Sequence, residues 1–223
     1  MSKDKDQTLE CPVGEDSCFW LDQIRSLREE IEQLREMVAS DSLTGLYNYR
    51  HFKTVLQAEM DRTKRSGVPT TLVTLDVDHF EQVTDEHGHE AGDQVLMQLA
   101  DILRHELRTT DIVARYDRDE FSIVFPETHL NLAIKVAERI RHDVENTSFE
   151  VNDLKLQITV SMGASVYVKT SVIEQDTFVE SVNQYLQEAK QSGRNCICHI
   201  DHSDLRKVTE IGNDERNLLF GSE

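Results

Sequence analysis

The chain has 223 residues, 38% of them hydrophobic, and a formal net charge of −18 at pH 7, which together support one globular core with attached segments. So large a carboxylate surplus repels phosphate backbones and anionic headgroups, excluding general nucleic-acid or membrane-surface binding and leaving any nucleotide ligand to local basic groups or a metal. Four cysteines are too few for a disulfide scaffold, and no run has the apolar length of a signal peptide or membrane span, so a cytoplasmic protein with reduced thiols is expected.

In chain order, residues 1–18 are polar and aperiodic and read as a flexible arm. Within residues 19–40, Trp20, Ile24, Leu27, Ile31, Leu34 and Val38 alternate spacings of four and three, a heptad seam. Ile24, Ile31 and Val38 at a, with Leu27 and Leu34 at d, favour a parallel two-stranded coil in which Glu30 faces Arg35 of a second copy, so a homodimer is expected. Fewer than three full heptads also fit an amphipathic helix folded back on its own domain.

Residues 41–202 alternate in type. A helix follows "DSLTGLYN", then come a strand "TTLVTLDVD", helical periodicity in "GDQVLMQLADILRHEL", and a hairpin of "DIVARY" and "EFSIVFP". A helix "NLAIKVAERIRHDVE", a strand "LQITVSMGASVYV", a helix "DTFVESVNQYLQEAKQSG" and a short strand "CICHI" complete the domain. Without its first helix this is strand, helix, strand, strand, helix, strand: an α/β (α+β) domain with the βαββαβ order of a ferredoxin-like or palm fold. Residues 203–223 form an acidic tail with one apolar cluster, Leu218 to Phe220, read as flexible or as a docking segment.

Asp76 and Asp78 alternate at the end of the first strand, so both face one side, next to the charged turn Asp117, Arg118, Asp119 and Glu120. An oxygen-rich site of this kind suits Mg²⁺ together with nucleotide phosphates, and a metal there activates a hydroxyl for phosphoryl transfer. A solvated acidic loop has the same composition. Cys11, Cys18, Cys196 and Cys198, with His199 and His202, are zinc-binding residue types without a finger spacing, and read as free thiols.

"DSLTGLYNYRHF", "LDVDHFEQVTDEHGHEAGDQVL", "RTTDIVARYDRDEFSIVFP", "ITVSMGAS" and "EAKQSGRNCI" follow one another from about Asp41 to about Ile200. In that order they resemble the successive signatures of GGDEF domains, the bacterial diguanylate cyclases. The resemblance implies a nucleotide-cyclase-like palm that joins two GTP molecules into cyclic di-GMP across a head-to-head dimer. It implies Asp76 and Asp119 as Mg²⁺ ligands, Asp119 and Glu120 as the catalytic acids of the signature, and Asp93 as a guanine contact. Phe80, Gly88, His89 and Gly92 also match, the last three shaping the helix connection, and the "EHGHE" histidines His87 and His89 belong to a structural turn. Asp41 and Arg115 match a structural ion pair, and Lys190 and Arg194 match phosphate contacts, although a basic helix end also complements its own dipole.

The departures are informative. Asp117 and Arg118 replace both signature glycines, although glycine suits a tight turn and arginine tolerates the left-handed region poorly. Glu81 stands where the family carries a phosphate-binding lysine, and Thr84 where it carries a guanine-binding asparagine. By contrast, Arg108 and Asp111 match the family's RxxD inhibitory site, five residues before the signature, and Arg139 matches an arginine given to the same ligand. Arginine forks onto guanine O6 and N7 while aspartate accepts guanine N–H groups. The expectation is a catalytically degenerate GGDEF protein whose site binds cyclic di-GMP and signals to a protein partner. The alternatives are an active, noncanonical diguanylate cyclase with product inhibition, and a coiled-coil scaffold that needs no nucleotide.

Overall fold

The computed structural model describes residues 23, 24, 26, 27, 39–152 and 154–200. The chain divides into two units, residues 1–39 and 40–223, and all elements numbered below belong to the second. Most of the heptad seam, the amino-terminal arm and the acidic tail lie outside the described residues; within the seam, Ile24 and Leu27 are helical and exposed.

Asp41 opens the domain by folding a turn onto Leu46. Its carboxylate accepts from the Thr44 amide at 2.8 Å and the Thr44 hydroxyl at 2.7 Å, and its own N–H donates to the Leu46 carbonyl at 2.7 Å. The turn delivers β1 (Tyr47–Asn48) and α1 (Tyr49–Ser66). Asn48 caps that helix by accepting the His51 N–H at 3.0 Å, and Gly67 ends it at φ 81°, a left-handed conformation open to glycine. There follow β2 (Thr70–Val77), α2 (Phe80–His87), α3 (His89–Glu106), β3 (Ile112–Arg115) and β4 (Glu120–Phe125). The remaining elements are α4 (Leu130–Asn146), β5 (Ser148–Val151), β6 (Leu154–Gln157), β7 (Val160–Tyr167), α5 (Gln175–Gln191) and β8 (Ile197–His199).

Six strands form one sheet in the order β1-β3-β4-β2-β7-β8. Its inner four, β3-β4-β2-β7, are antiparallel, and with α3 and α4 as the crossovers they make the expected ferredoxin-like βαββαβ core. Every residue of β2 and β7 is buried, because helices cover both faces. Alternation sorts the side chains. Val73, Leu75, Ile123 and Phe125 pack with α3 and α4, whereas Leu72, Val124 and Tyr167 pack with α1 and α5. On the second face, a Cβ at Gly163 would lie 2.3 Å from both the Val182 carbonyl and the Leu186 amide, so only glycine admits α5 this close to the sheet.

Two elements differ from the sequence reading. A short helix, α2, precedes the main crossover, and Gly88 at φ 89° separates it from α3. The run read as one strand, "LQITVSMGASVYV", is two. Its first part pairs with β5 in a separate two-stranded sheet, and only Val160–Tyr167 enters the main one. Tertiary contacts override the local pattern here. The Gln98 amide donates to the Glu150 carbonyl at 2.8 Å and accepts the Glu150 N–H at 3.0 Å, pinning β5 to α3 like an added strand.

Candidate functional site

The acidic corner forms where β2 and β4 run side by side. Asp76 and Glu120 are register partners, so their side chains rise together on the α1–α5 face, and the Val77 N–H donates to the Asp119 carbonyl at 3.3 Å. Lys190, in the last turn of α5, places Nζ 2.7 Å from Asp76 Oδ2. Burial pushes the Asp76 carboxyl up to about 6; Lys190 pulls it down, and the Asp119 and Asp78 charges push it up. Burial also raises Glu120, with Asp76 the next cause. Carboxylates therefore crowd around a single ammonium group, an arrangement short of positive charge.

That donor chemistry fits Mg²⁺. Among the described residues no three His, Cys, Asp or Glu side chains converge into a protein-only cage, so Asp76 and Asp119 would hold such an ion only with oxygens from elsewhere, as Mg²⁺ on nucleotide phosphates accepts. The raised Asp76 carboxyl also sets a stability test in buffer without divalent cations. Its folded value exceeds the ordinary 3.8, so the stability tied to its protonated form is present below pH 3.8 and lost as pH rises through about 6. Asp76→Asn removes the buried charge and is expected to raise unfolding free energy by about 2 kcal/mol at pH 8, with the gain vanishing near pH 4. Urea titrations at the two pH values read this directly.

The signature turn corrects one expectation. Neither Asp117 nor Arg118 adopts positive φ, so loss of the glycines does not strain the backbone. The turn closes through the Tyr116 and Asp117 N–H groups, which donate to the Glu120 carbonyl at 2.8 and 3.2 Å. The Arg118 N–H donates to Asp117 Oδ1 at 2.8 Å, so an amide that glycine would leave open to a ligand is taken by a carboxylate. Arg115 braces the loop by donating twice to the Arg118 carbonyl, at 2.6 and 3.2 Å, and it meets Asp41 at 3.4 Å, the ion pair expected from sequence. Sequence reasoning missed Tyr116. Its ring packs edge-on against Tyr49 at 5.0 Å, and burial, then Tyr49 and Glu120, push its hydroxyl up to about 12.

Asp78 also departs from expectation. It faces the same side as Asp76 but accepts from Thr159 Oγ1 at 2.7 Å, Ser161 Oγ at 2.6 Å and the Asn195 N–H at 3.0 Å. Three donors make it a tie between β2, β7 and the approach to β8 rather than an open ligand. Nothing in the local sequence marks those distant partners.

Along α2, Phe80 is buried and Glu81 is exposed in the first turn. Thr84 Oγ1 donates to the Glu81 carbonyl at 2.9 Å, so its hydroxyl is spent on its own helix. A Cβ at Gly92 would lie 2.7 Å from Thr84 Cγ2 and 2.9 Å from Phe80 Cζ, which brings Phe80, Thr84 and Gly92 together, with exposed Asp93 next in sequence. Arg194, at φ 63°, donates its N–H to the Ala189 carbonyl at 3.1 Å.

The RxxD turn lies at the other end of β3 from the signature, a strand of four residues and about 13 Å. The Asp111 N–H donates to the Arg108 carbonyl at 3.0 Å, and the Arg108 N–H donates to Asp111 Oδ2 at 3.0 Å. Arg108 is exposed. Burial raises the Asp111 carboxyl, opposed by the Arg108 amide and charge. Arg139 of α4 bonds the Glu106 carboxylate and donates to the Glu106 carbonyl at 2.7 Å, which brings it to the α3 end, two residues from Arg108.

Among the described residues no helix is long and apolar enough to cross a membrane. Residues 38–196 match the family described as "Diguanylate cyclase, GGDEF domain". The response regulator PleD of Caulobacter vibrioides is 33% identical over 176 residues, covering 77% of this chain but 38% of PleD, so the chain spans well under half of that relative. The diguanylate cyclase SiaD of Pseudomonas aeruginosa, solved with its activator SiaC, is 32% identical with a TM-score of 0.70 over 81% of this chain and 69% of SiaD. The GGDEF domain of DgcB from Caulobacter crescentus, solved with c-di-GMP, is 27% identical with a TM-score of 0.69 over 72% of this chain and 92% of that domain. Family match, sheet topology and the acidic corner at the β2–β4 end agree: the chain belongs to the GGDEF family of diguanylate cyclase domains.

Proposed function

We propose that this protein is a catalytically degenerate GGDEF protein that acts as a receptor for cyclic di-GMP in the cytoplasm and passes its occupancy to a protein partner. The observation that carries the reading is the contrast between the two ends of β3. At one end the Arg108–Asp111 turn closes through the main chain of Arg108 and leaves that residue exposed, and an arginine and an aspartate are the donor and acceptor types suited to a guanine edge. At the other end Glu81 brings negative charge, Thr84 has spent its hydroxyl, and Asp117 has taken the Arg118 amide. The DgcB complex with c-di-GMP supports the ligand class, and the SiaD–SiaC complex supports a protein partner. Calorimetric titration with cyclic di-GMP tests the reading. Saturable binding at micromolar or tighter affinity is expected, and absence of binding sinks it.

A second reading, an active noncanonical diguanylate cyclase, is favoured by the unstrained turn and the retained cluster of Asp76, Asp119 and Glu120. Mg²⁺ held by Asp76 and Asp119 would supply the activation of a GTP hydroxyl for attack. Incubation with GTP and Mg²⁺, followed by chromatography for cyclic di-GMP, separates the two.

Both readings include a homodimer held through residues 19–40. Lysines at Leu27 and Leu34 place unpaired charges in the seam and are expected to yield monomers by light scattering, where the unmodified chain is dimeric. A dimer that survives both changes refutes the heptad seam.

A further inference from the structure

Cys196 and Cys198 belong neither to the acidic corner nor to the RxxD turn, and they sit together. They flank Ile197 at the start of β8, the edge strand beside β7. Cys198 is in register with Gly163, whose open side lies against α5, and the Cys196 thiol donates to the Ala189 carbonyl of that helix at 3.4 Å. Alternate positions on an extended strand share a face, so both thiols project between β8 and α5. Both are free and half-buried.

Paired thiols have two chemistries open to them, and strand spacing selects one. A disulfide needs Cβ atoms about 3.5–4.5 Å apart, whereas positions i and i+2 of a strand lie about 6.5 Å apart. Closing that gap would pull on the bond from the Met162 N–H to the Cys196 carbonyl, 2.9 Å long. A metal bridge spans the wider gap: two metal–sulfur bonds of about 2.3 Å allow sulfurs as much as about 4.6 Å apart.

We propose that Cys196 and Cys198 form a two-thiolate site for a soft monovalent d¹⁰ cation of the Cu(I) class. Binding involves no redox step. Two S–H bonds break, two Cu–S bonds form, and two protons pass to water, leaving a site with one net negative charge. The Arg141 charge favours the Cys196 thiolate, while burial, Cys198 and Asp78 oppose it. Selectivity follows from ligand number. Among the described residues no third His, Cys, Asp or Glu joins the pair, so a tetrahedral Zn²⁺ shell stays incomplete while a soft, low-coordinate ion is satisfied.

The test uses the full chain, reduced and anaerobic, titrated with Cu(I) delivered from a competing chelator and followed by native mass spectrometry and X-ray absorption. One Cu(I) per chain with two sulfur neighbours is expected, unchanged by Cys11→Ser with Cys18→Ser. Either Cys196→Ser or Cys198→Ser should weaken binding about tenfold or more. Retention of Cu(I) after both of the latter changes, or Zn²⁺ held as tightly, overturns the site. If those variants fail to fold, alkylation in the Cys11→Ser, Cys18→Ser background decides. Cu(I) must protect Cys196 and Cys198 from iodoacetamide, and unhindered labelling overturns the proposal.

Discussion

Replacing Arg108 by alanine is expected to weaken cyclic di-GMP binding about ten- to hundred-fold, the loss of a forked guanine contact of about 1–3 kcal/mol. The guanidinium is exposed at the end of a turn whose shape comes from backbone bonds between residues 108 and 111, so truncating the side chain leaves the turn in place. The expected loss is therefore one of ligand contacts rather than of folding, and an unchanged thermal melt of the variant checks that. Asp111→Ala is expected to have a different signature. It removes both a ligand acceptor and the carboxylate that caps the Arg108 N–H, so binding and local stability fall together. Tight binding indifferent to Arg108→Ala places the ligand elsewhere on the domain.

Repairing the signature with Asp117→Gly and Arg118→Gly is expected to leave GTP cyclisation at least about a hundredfold below that of a set that also carries Glu81→Lys and Thr84→Asn. The turn is already unstrained, so glycine relieves nothing in the backbone; it frees one amide and removes one carboxylate. Glu81 still opposes phosphate from the first turn of α2, and the Thr84 hydroxyl still bonds the Glu81 carbonyl. Opposed charge and an unread guanine edge together amount to a few kcal/mol of transition-state binding, which is the hundredfold or more. Assays in an Arg108→Ala background keep bound product from masking activity. Robust synthesis by the unmodified chain, or by the double glycine repair alone, would falsify the degenerate reading and promote the active cyclase.

The βαββαβ core was legible in the sequence because its signals are local. The alternation in "TTLVTLDVD", the helical period in "NLAIKVAERIRHDVE" and the apolar runs around the charged turn each state their own geometry. Asp76 and Glu120 were legible as members of one site, since two strand ends joined through a sheet bring carboxylates to one corner, and register confirms the pairing. The Asp41–Arg115 pair was legible only through family resemblance, 74 residues apart.

Other features depend on partners far away in the chain. Asp78 was placed on the open acidic face beside Asp76, but Thr159, Ser161 and Asn195 satisfy it. β6 looked like the start of β7 until Gln98 drew its hairpin onto α3. The signature turn looked strained because glycine was missing, yet Asp117 caps the Arg118 amide and Arg115 holds the Arg118 carbonyl, so the φ angles stay negative. Composition and periodicity determined the class of fold and the acidic corner, and the family resemblance marked the departures at Glu81 and Thr84. Tertiary structure alone decided which polar atoms remain open to a ligand, because a buried or bridging group commits its hydrogen bonds to whatever folding brings beside it, and that partner is written in topology rather than in neighbouring residues.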